Sequence, residues 1–102
     1  MSEPRDGGQF YEVHGSNLIA ATLVQIQRRA AREGRGEQVL AAFREVARRL
    51  QREPNAFGEP LYRLPGLQML LRSGIVRPLV VHFGVCEDRP LVFIKGIMLL
   101  PE

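Results

Sequence analysis

Apolar residues recur at helical spacing in two consecutive segments of the first half of the chain. In the first segment they are three or four residues apart, which places them on one face of a helix. This apolar row consists of Ile19, Leu23, Ile26 and Ala30. Ser16 is a suitable N-cap for the helix, and Gly34 can adopt the left-handed conformation that ends it.

The second segment has the clearest helical pattern in the chain. Its apolar row, widened by Leu40 and Ala47, consists of Val39, Phe43, Val46 and Leu50. Arginines occupy most of the other side, Glu45 and Arg49 are spaced as an i,i+4 ion pair, and Pro54 ends the helix. Because residues 34–36 provide only a short link, the two helices are predicted to form an antiparallel hairpin.

From residue 60 onward, the pattern changes to short runs of strand-favouring residues separated by turn sequences. The runs cover residues 61–64, 67–72, 79–85 and 91–100. Turns are predicted at Pro65-Gly66, at Ser73-Gly74 and at residues 87–90. Such short links favour an antiparallel meander over parallel strands. A further short strand is predicted at residues 9–13, where His14-Gly15 ends it.

These elements predict one α+β domain, residues 9–102, preceded by a polar and disordered tail at residues 1–8. The predicted order is a short strand, a helical hairpin and an antiparallel meander, with the helices packed on one face of the sheet. The final strand is apolar on both faces, but the helices can cover only one of them. We therefore expect the other face to contact a second copy, as in a homodimer, or a partner protein.

Composition narrows the classes of function. No apolar run approaches the roughly 20 residues that a membrane-spanning helix needs, and the first residues do not resemble an export signal. We therefore expect a cytoplasmic protein without a membrane partner. Cys86 is the only cysteine, so it cannot form an internal disulfide. No residue cluster predicts a metal site, and no Gly-rich loop predicts a cofactor.

Positive charge is concentrated in the predicted helices. The net charge of the chain is +3, and residues 16–53 contain eight arginines against four glutamates. Such a surface attracts nucleic acid or an acidic protein segment. The alternative interpretation is that the arginines only keep the helix surfaces solvated.

Four segments, from the end of the second helix onward, resemble the RelE/ParE toxin superfamily. Residues 50–54 (LQREP) and 57–64 (FGEPLYRL) are similar to the family's passage from its second helix into the first strand of a meander. Residues 71–77 (LRSGIVR) and 81–85 (VHFGV) are similar to the two segments that follow in that family. The resemblance covers roughly residues 9–100 and implies the same fold.

The resemblance also implies a toxin-like component of a type II toxin–antitoxin system, of the plasmid-stabilisation kind. RelE-like members cleave messenger RNA on the ribosome without a cofactor, ParE-like members inhibit DNA gyrase, and a cognate antitoxin neutralises both. The leading interpretation is a ribosome-dependent mRNA endoribonuclease. The alternative is a non-catalytic binding module on the same scaffold, which acts on gyrase or through other protein–protein contacts. Residues 98–102 favour the non-catalytic alternative, since they lack the Arg, His or Tyr that active members often carry there.

Four residues are candidates for catalysis under the leading interpretation. Arg72 and Arg77 match two arginines of the family segment, and each offers a guanidinium fork to a phosphate. His82 is a candidate acid or base, and Lys95 is a candidate cation in an RNA groove. The structural alternatives are a partly exposed strand histidine at position 82 and, at position 95, an edge-strand charge that limits aggregation.

Nucleic-acid binding is predicted for Tyr62, Arg63, Arg72 and Arg77. The three arginines would form a cationic patch on a concave, open face of the sheet, and Tyr62 would stack on a base. Alternatively, the arginines are solvated separately and the tyrosine packs against the second helix. His14 is predicted to lie in a loop without a specific role.

Overall fold

The computed structural model describes residues 9–101. The tail predicted at residues 1–8 lies outside the described residues, as does residue 102. The helices are α1 (Asn17–Arg32) and α2 (Gly36–Arg52). The strands are β1 (Glu12–Gly15), β2 (Glu59–Leu64), β3 (Met69–Val76), β4 (Leu79–Cys86) and β5 (Leu91–Leu99), with a short 3-10 turn at Pro65–Leu67.

Both predicted helices form, and their ends follow the predicted chemistry. The Ser16 hydroxyl accepts a hydrogen bond from the Ile19 N–H at 3.2 Å, so the N-cap of α1 is confirmed. Gly34 has a φ of +73°, the left-handed conformation that lets the chain leave α1 and start α2 at once. Neither helix of the described chain is long and apolar enough to cross a bilayer.

The five strands form one mixed sheet in the order β1-β5-β4-β3-β2. Strands β2 to β5 make the predicted antiparallel meander, while β1 pairs with β5 in parallel. The α+β architecture predicted from the sequence, with a helical hairpin on one face of the sheet, is therefore confirmed. The first strand of the chain and the last strand lie side by side.

Two predicted boundaries are wrong. The first strand starts at Glu12 and includes His14 and Gly15, because its extent is set by pairing with β5 rather than by local preference. The turn predicted at Ser73-Gly74 does not form, and β3 continues to Val76. The chain reverses at residues 77–78 instead.

Gly74 pairs with Val81 inside the strand, and a glycine is required there because an aromatic ring occupies the space that a side chain would take. A Cβ atom at position 74 would lie 2.5–2.8 Å from three ring atoms of Phe57. The Phe57 ring in turn stacks on Phe83 of β4, with 5.6 Å between ring centroids. Phe57 is 2% exposed and belongs to the core between α2 and the sheet, together with Val46, Leu50, Val81 and Phe83.

We expect Gly74→Ala to lower the free energy of unfolding by about 1–3 kcal/mol, because the added methyl group must displace the Phe57 ring from a filled core. Gly66→Ala is the matched control, since a Cβ there would have no atom within 4 Å. We expect the control to change stability by less than about 0.5 kcal/mol. Urea denaturation of both variants measures the difference, and equal midpoints would contradict the packing argument.

A second prediction concerns the ion pairs on α2. The carboxylate of Glu45 accepts hydrogen bonds from Arg48 and Arg49, both at 2.8 Å, which lower its pKa from 4.5 to about 2. The pKa is lower in the folded state, so the stability that Glu45 contributes is complete above about pH 4.5 and is lost as the pH falls towards about 2.

Glu45→Gln should therefore flatten the decline of the urea midpoint over this acid range. Glu59→Gln is the control, because Glu59 has no ion pair within residues 9–101. A Glu45→Gln protein whose midpoint falls as steeply with acid as the parent's would contradict the assignment.

Candidate functional site: the open face of the sheet

The helices cover one face of the sheet, and alternation along β4 defines the other. Leu79, Val81, Phe83 and Val85 point towards the helices and are buried. Val80, His82, Gly84 and Cys86 therefore point to the opposite side, which we call the open face. No helix or strand of residues 9–101 packs over this face.

One end of the open face is an apolar cluster that the sheet builds for itself. Met69, Leu71 and Cys86 are each less than a tenth exposed, and Leu64, Leu91 and Phe93 pack against them. The Met69 side chain lies over Gly84, where any Cβ atom would meet its sulfur. The glycine thus makes room for a methionine on a face that carries no helix.

Large apolar side chains are also exposed elsewhere on the open face. The register places Ile75 opposite Val80, and Val80 opposite Met98, so these three residues form an apolar row at the far end of the open face. Ile75 and Met98 are more than half exposed, as is Tyr62 on β2. Tyr62 pairs with Leu71 on the open face, so the alternative that it packs against α2 is wrong.

A polar row separates the two apolar ends. Ser73 of β3 is opposite His82 of β4, which is opposite Gly96 of β5. Lys95 is the extra residue of a bulge between the pairs formed by Ile94 and Gly96, and it lines a groove with His14 and Phe93. The structure therefore brings His82 and Lys95 close together in the sheet. Within residues 9–101, neither side chain forms a hydrogen bond or an ion pair.

His14 does not lie in a loop, contrary to the sequence prediction. It belongs to β1, and its ring stacks on Phe93 with 5.6 Å between centroids. Its Nε2 lies 3.2 Å from a carboxylate oxygen of Glu12. The sequence could not indicate this site, because only the parallel pairing of β1 with β5 brings the two rings together.

Arg72 points away from the open face. It pairs with Phe83, so its side chain lies on the helix side of the sheet, and it is 7% exposed. Its Nε donates a hydrogen bond to the carbonyl of Phe57, and Nη2 donates one to the carbonyl of Gly58, both at 3.1 Å. The guanidinium fork that was expected to hold a phosphate holds the α2–β2 connection instead.

The other two arginines are also separate from one another. Arg63 forms a bidentate pair with Glu87, at 2.7 and 2.9 Å, and this pair lowers the pKa of Glu87 and raises that of Arg63. Arg77 is exposed in the turn between β3 and β4. The predicted cationic patch of Arg63, Arg72 and Arg77 on one concave face is therefore wrong.

The described chain contains no group of three or more His, Cys, Asp or Glu residues that could hold a metal ion. Comparisons with protein-family models, with curated proteins and with solved structures give no match. The resemblance to the RelE/ParE superfamily therefore rests on the sequence segments alone.

We expect Arg72→Met to lower the free energy of unfolding by about 1–3 kcal/mol, because it removes the donor from the carbonyl of buried Phe57 and from the part-buried hydrogen bond to Gly58. Arg77→Met is the matched control and should change stability by less than about 0.5 kcal/mol. Thermal and urea unfolding measure both effects. An Arg72→Met protein as stable as the control would contradict the structural role that we assign to the hydrogen bonds of this side chain.

Proposed function

We propose that this chain is a non-catalytic, protein-binding member of the RelE/ParE-like toxins, and that it binds its partner with the open face of the sheet. The observation that carries the proposal is the chemistry of that face. It exposes large apolar side chains at Tyr62, Ile75 and Met98, whereas Arg63 and Arg72 are held elsewhere by protein groups. An apolar face of this kind is typical of a protein interface.

Phosphate handling is less well supported by this geometry. Metal-independent RNA cleavage needs a base for the 2′-hydroxyl, a cation for the phosphate charge and an acid for the leaving oxygen. Of the four candidate catalytic residues, only His82 and Lys95 are neighbours in the sheet, with Arg72 on the other side and Arg77 in a turn. This arrangement favours binding over cleavage.

The partner that the resemblance suggests is a cognate antitoxin in the cytoplasm. Its contacting segment should be amphipathic, with apolar side chains for both ends of the open face. Acidic residues opposite His82 and Lys95 would complement the polar row between those ends. Gyrase, a ribosome-bound message and a second copy of this chain are the competing occupants of the same face.

The test is to express the chain in bacterial cells, alone and together with the product of any short gene that adjoins its own. We expect the two products to elute as one complex in size-exclusion chromatography. We also expect messenger RNA to stay intact whether or not the chain alone slows growth.

Ile75→Glu and Met98→Glu should each weaken the complex at least about tenfold, because each places an unpaired charge in an apolar contact. Leu18→Glu is the matched control, since Leu18 is 74% exposed on α1, in the helix layer away from the open face. Equal weakening by the control would contradict the assigned interface.

Cleavage of messages in step with growth arrest, abolished by His82→Ala or Lys95→Ala, would overturn the non-catalytic proposal. It would favour the endoribonuclease instead. Complexes with gyrase, or homodimers that Met98→Glu dissociates, would keep the interface and change its occupant.

A further inference from the structure

The outer surface of helix α1 carries positive charge that the open face does not use. Arg28, Arg29 and Arg32 all lie in its second half, and no Asp or Glu occurs between Asn17 and Arg32. Together with Gln25 they line an open groove of about 390 Å³. The buried side of α1 consists of Ile19, Ile26 and Ala30, so the groove faces away from the sheet.

Two of these guanidinium groups are available to a ligand. Arg29 contacts Glu33 at 3.3 Å, but Glu33 is shared with Arg35, which it meets at 3.0 Å. Arg28 and Arg32 form no ion pair within residues 9–101. They are four residues apart on an exposed helix surface, where like charges repel each other. An anion that lies between them relieves this repulsion.

The chemistry of the groove indicates which anion. All four lining residues are polar, whereas a protein interface normally has an apolar centre. Arginine forks match the oxygens of a phosphate, and surfaces that bind nucleic acid are more polar and more basic than those that bind protein. The lining has no aromatic ring on which an unpaired base could stack, so a single strand gains nothing there beyond charge.

We propose that α1 binds the phosphate backbone of double-stranded nucleic acid through Arg28, Arg29 and Arg32, without reading base sequence. A duplex presents about one charge per 1.7 Å of its axis, so three guanidinium groups within about one helical turn can each reach a phosphate. This surface lies in the helix layer, on the other side of the sheet from the open face, and the proposal does not depend on the function proposed above.

The test measures fluorescence anisotropy of a labelled mixed-sequence duplex of about 20 base pairs, titrated with the purified chain at salt concentrations from about 50 to 200 mM. We expect the affinity to fall with salt and to be independent of sequence. In Arg28→Gln/Arg32→Gln, the affinity at low salt should fall at least about tenfold, and the slope of log affinity against log salt should become shallower by about 2.

The matched control is Arg48→Gln/Arg89→Gln, which removes the same charge from arginines that already contact Glu45 and Asp88. It should retain the slope of the parent chain. Met98→Glu should also retain duplex binding, even where it abolishes the partner complex, so the two proposals can fail separately. Circular dichroism melting verifies that each variant is folded.

Three results would overturn the proposal. One is an equal loss of affinity in the control, which would show that duplex binding depends only on the net charge of the chain. Another is a single strand of the same length that binds as tightly as the duplex. The third is a poly-glutamate peptide that binds more tightly than the duplex, which would assign the groove to an acidic protein segment.

Discussion

The arrangement of this domain depends on how the chain passes from α2 to the sheet. Arg72 holds the carbonyls of Phe57 and Gly58, and the Phe57 ring lies on Gly74 and stacks on Phe83. Arg72 and Gly74, two residues apart on β3, thus both contact the short connection between α2 and β2. Together they set how close the helical hairpin lies to β3 and β4, and thereby which face of the sheet is covered.

This constraint also affects the face of the sheet opposite the helices. The guanidinium group of Arg72 cannot turn outward without taking its donor away from the carbonyl of buried Phe57, which is costly. The outward positions of β3 to β5 are apolar or small, apart from the row formed by Ser73, His82 and Lys95. The positive charge of the chain lies mainly on the helices, so the two surfaces of the domain suit partners of different chemistry.

Much of the fold could be predicted from local patterns, because the helices and their caps depend on nearby residues. The apolar rows of α1 and α2, the cap at Ser16 and the left-handed Gly34 all form as expected. The strands of the meander could be recognised, but the turn at Ser73-Gly74 could not be excluded. Gly74 lies in a strand because it pairs with β4, and it is a glycine because of a ring 17 positions earlier in the sequence.

The candidate site was harder to predict, since it depends on which way each strand residue points. A shift of one position in register moves every side chain of a strand to the other face, and the register cannot be read from the sequence. Arg72 was expected on the open face for this reason. The contact of His14 with Phe93 and the bulge at Lys95 are likewise products of pairing between distant segments.

The parallel pairing of β1 with β5 also has a consequence for how the domain is made. Glu12 is matched with Leu91, and Arg35 donates a hydrogen bond to the carbonyl of Leu100, 65 residues away. During synthesis β1 leaves the ribosome long before β5 does, so the sheet cannot close until β5 has also emerged. Closure between segments so far apart in the sequence is slow compared with forming a helical bundle.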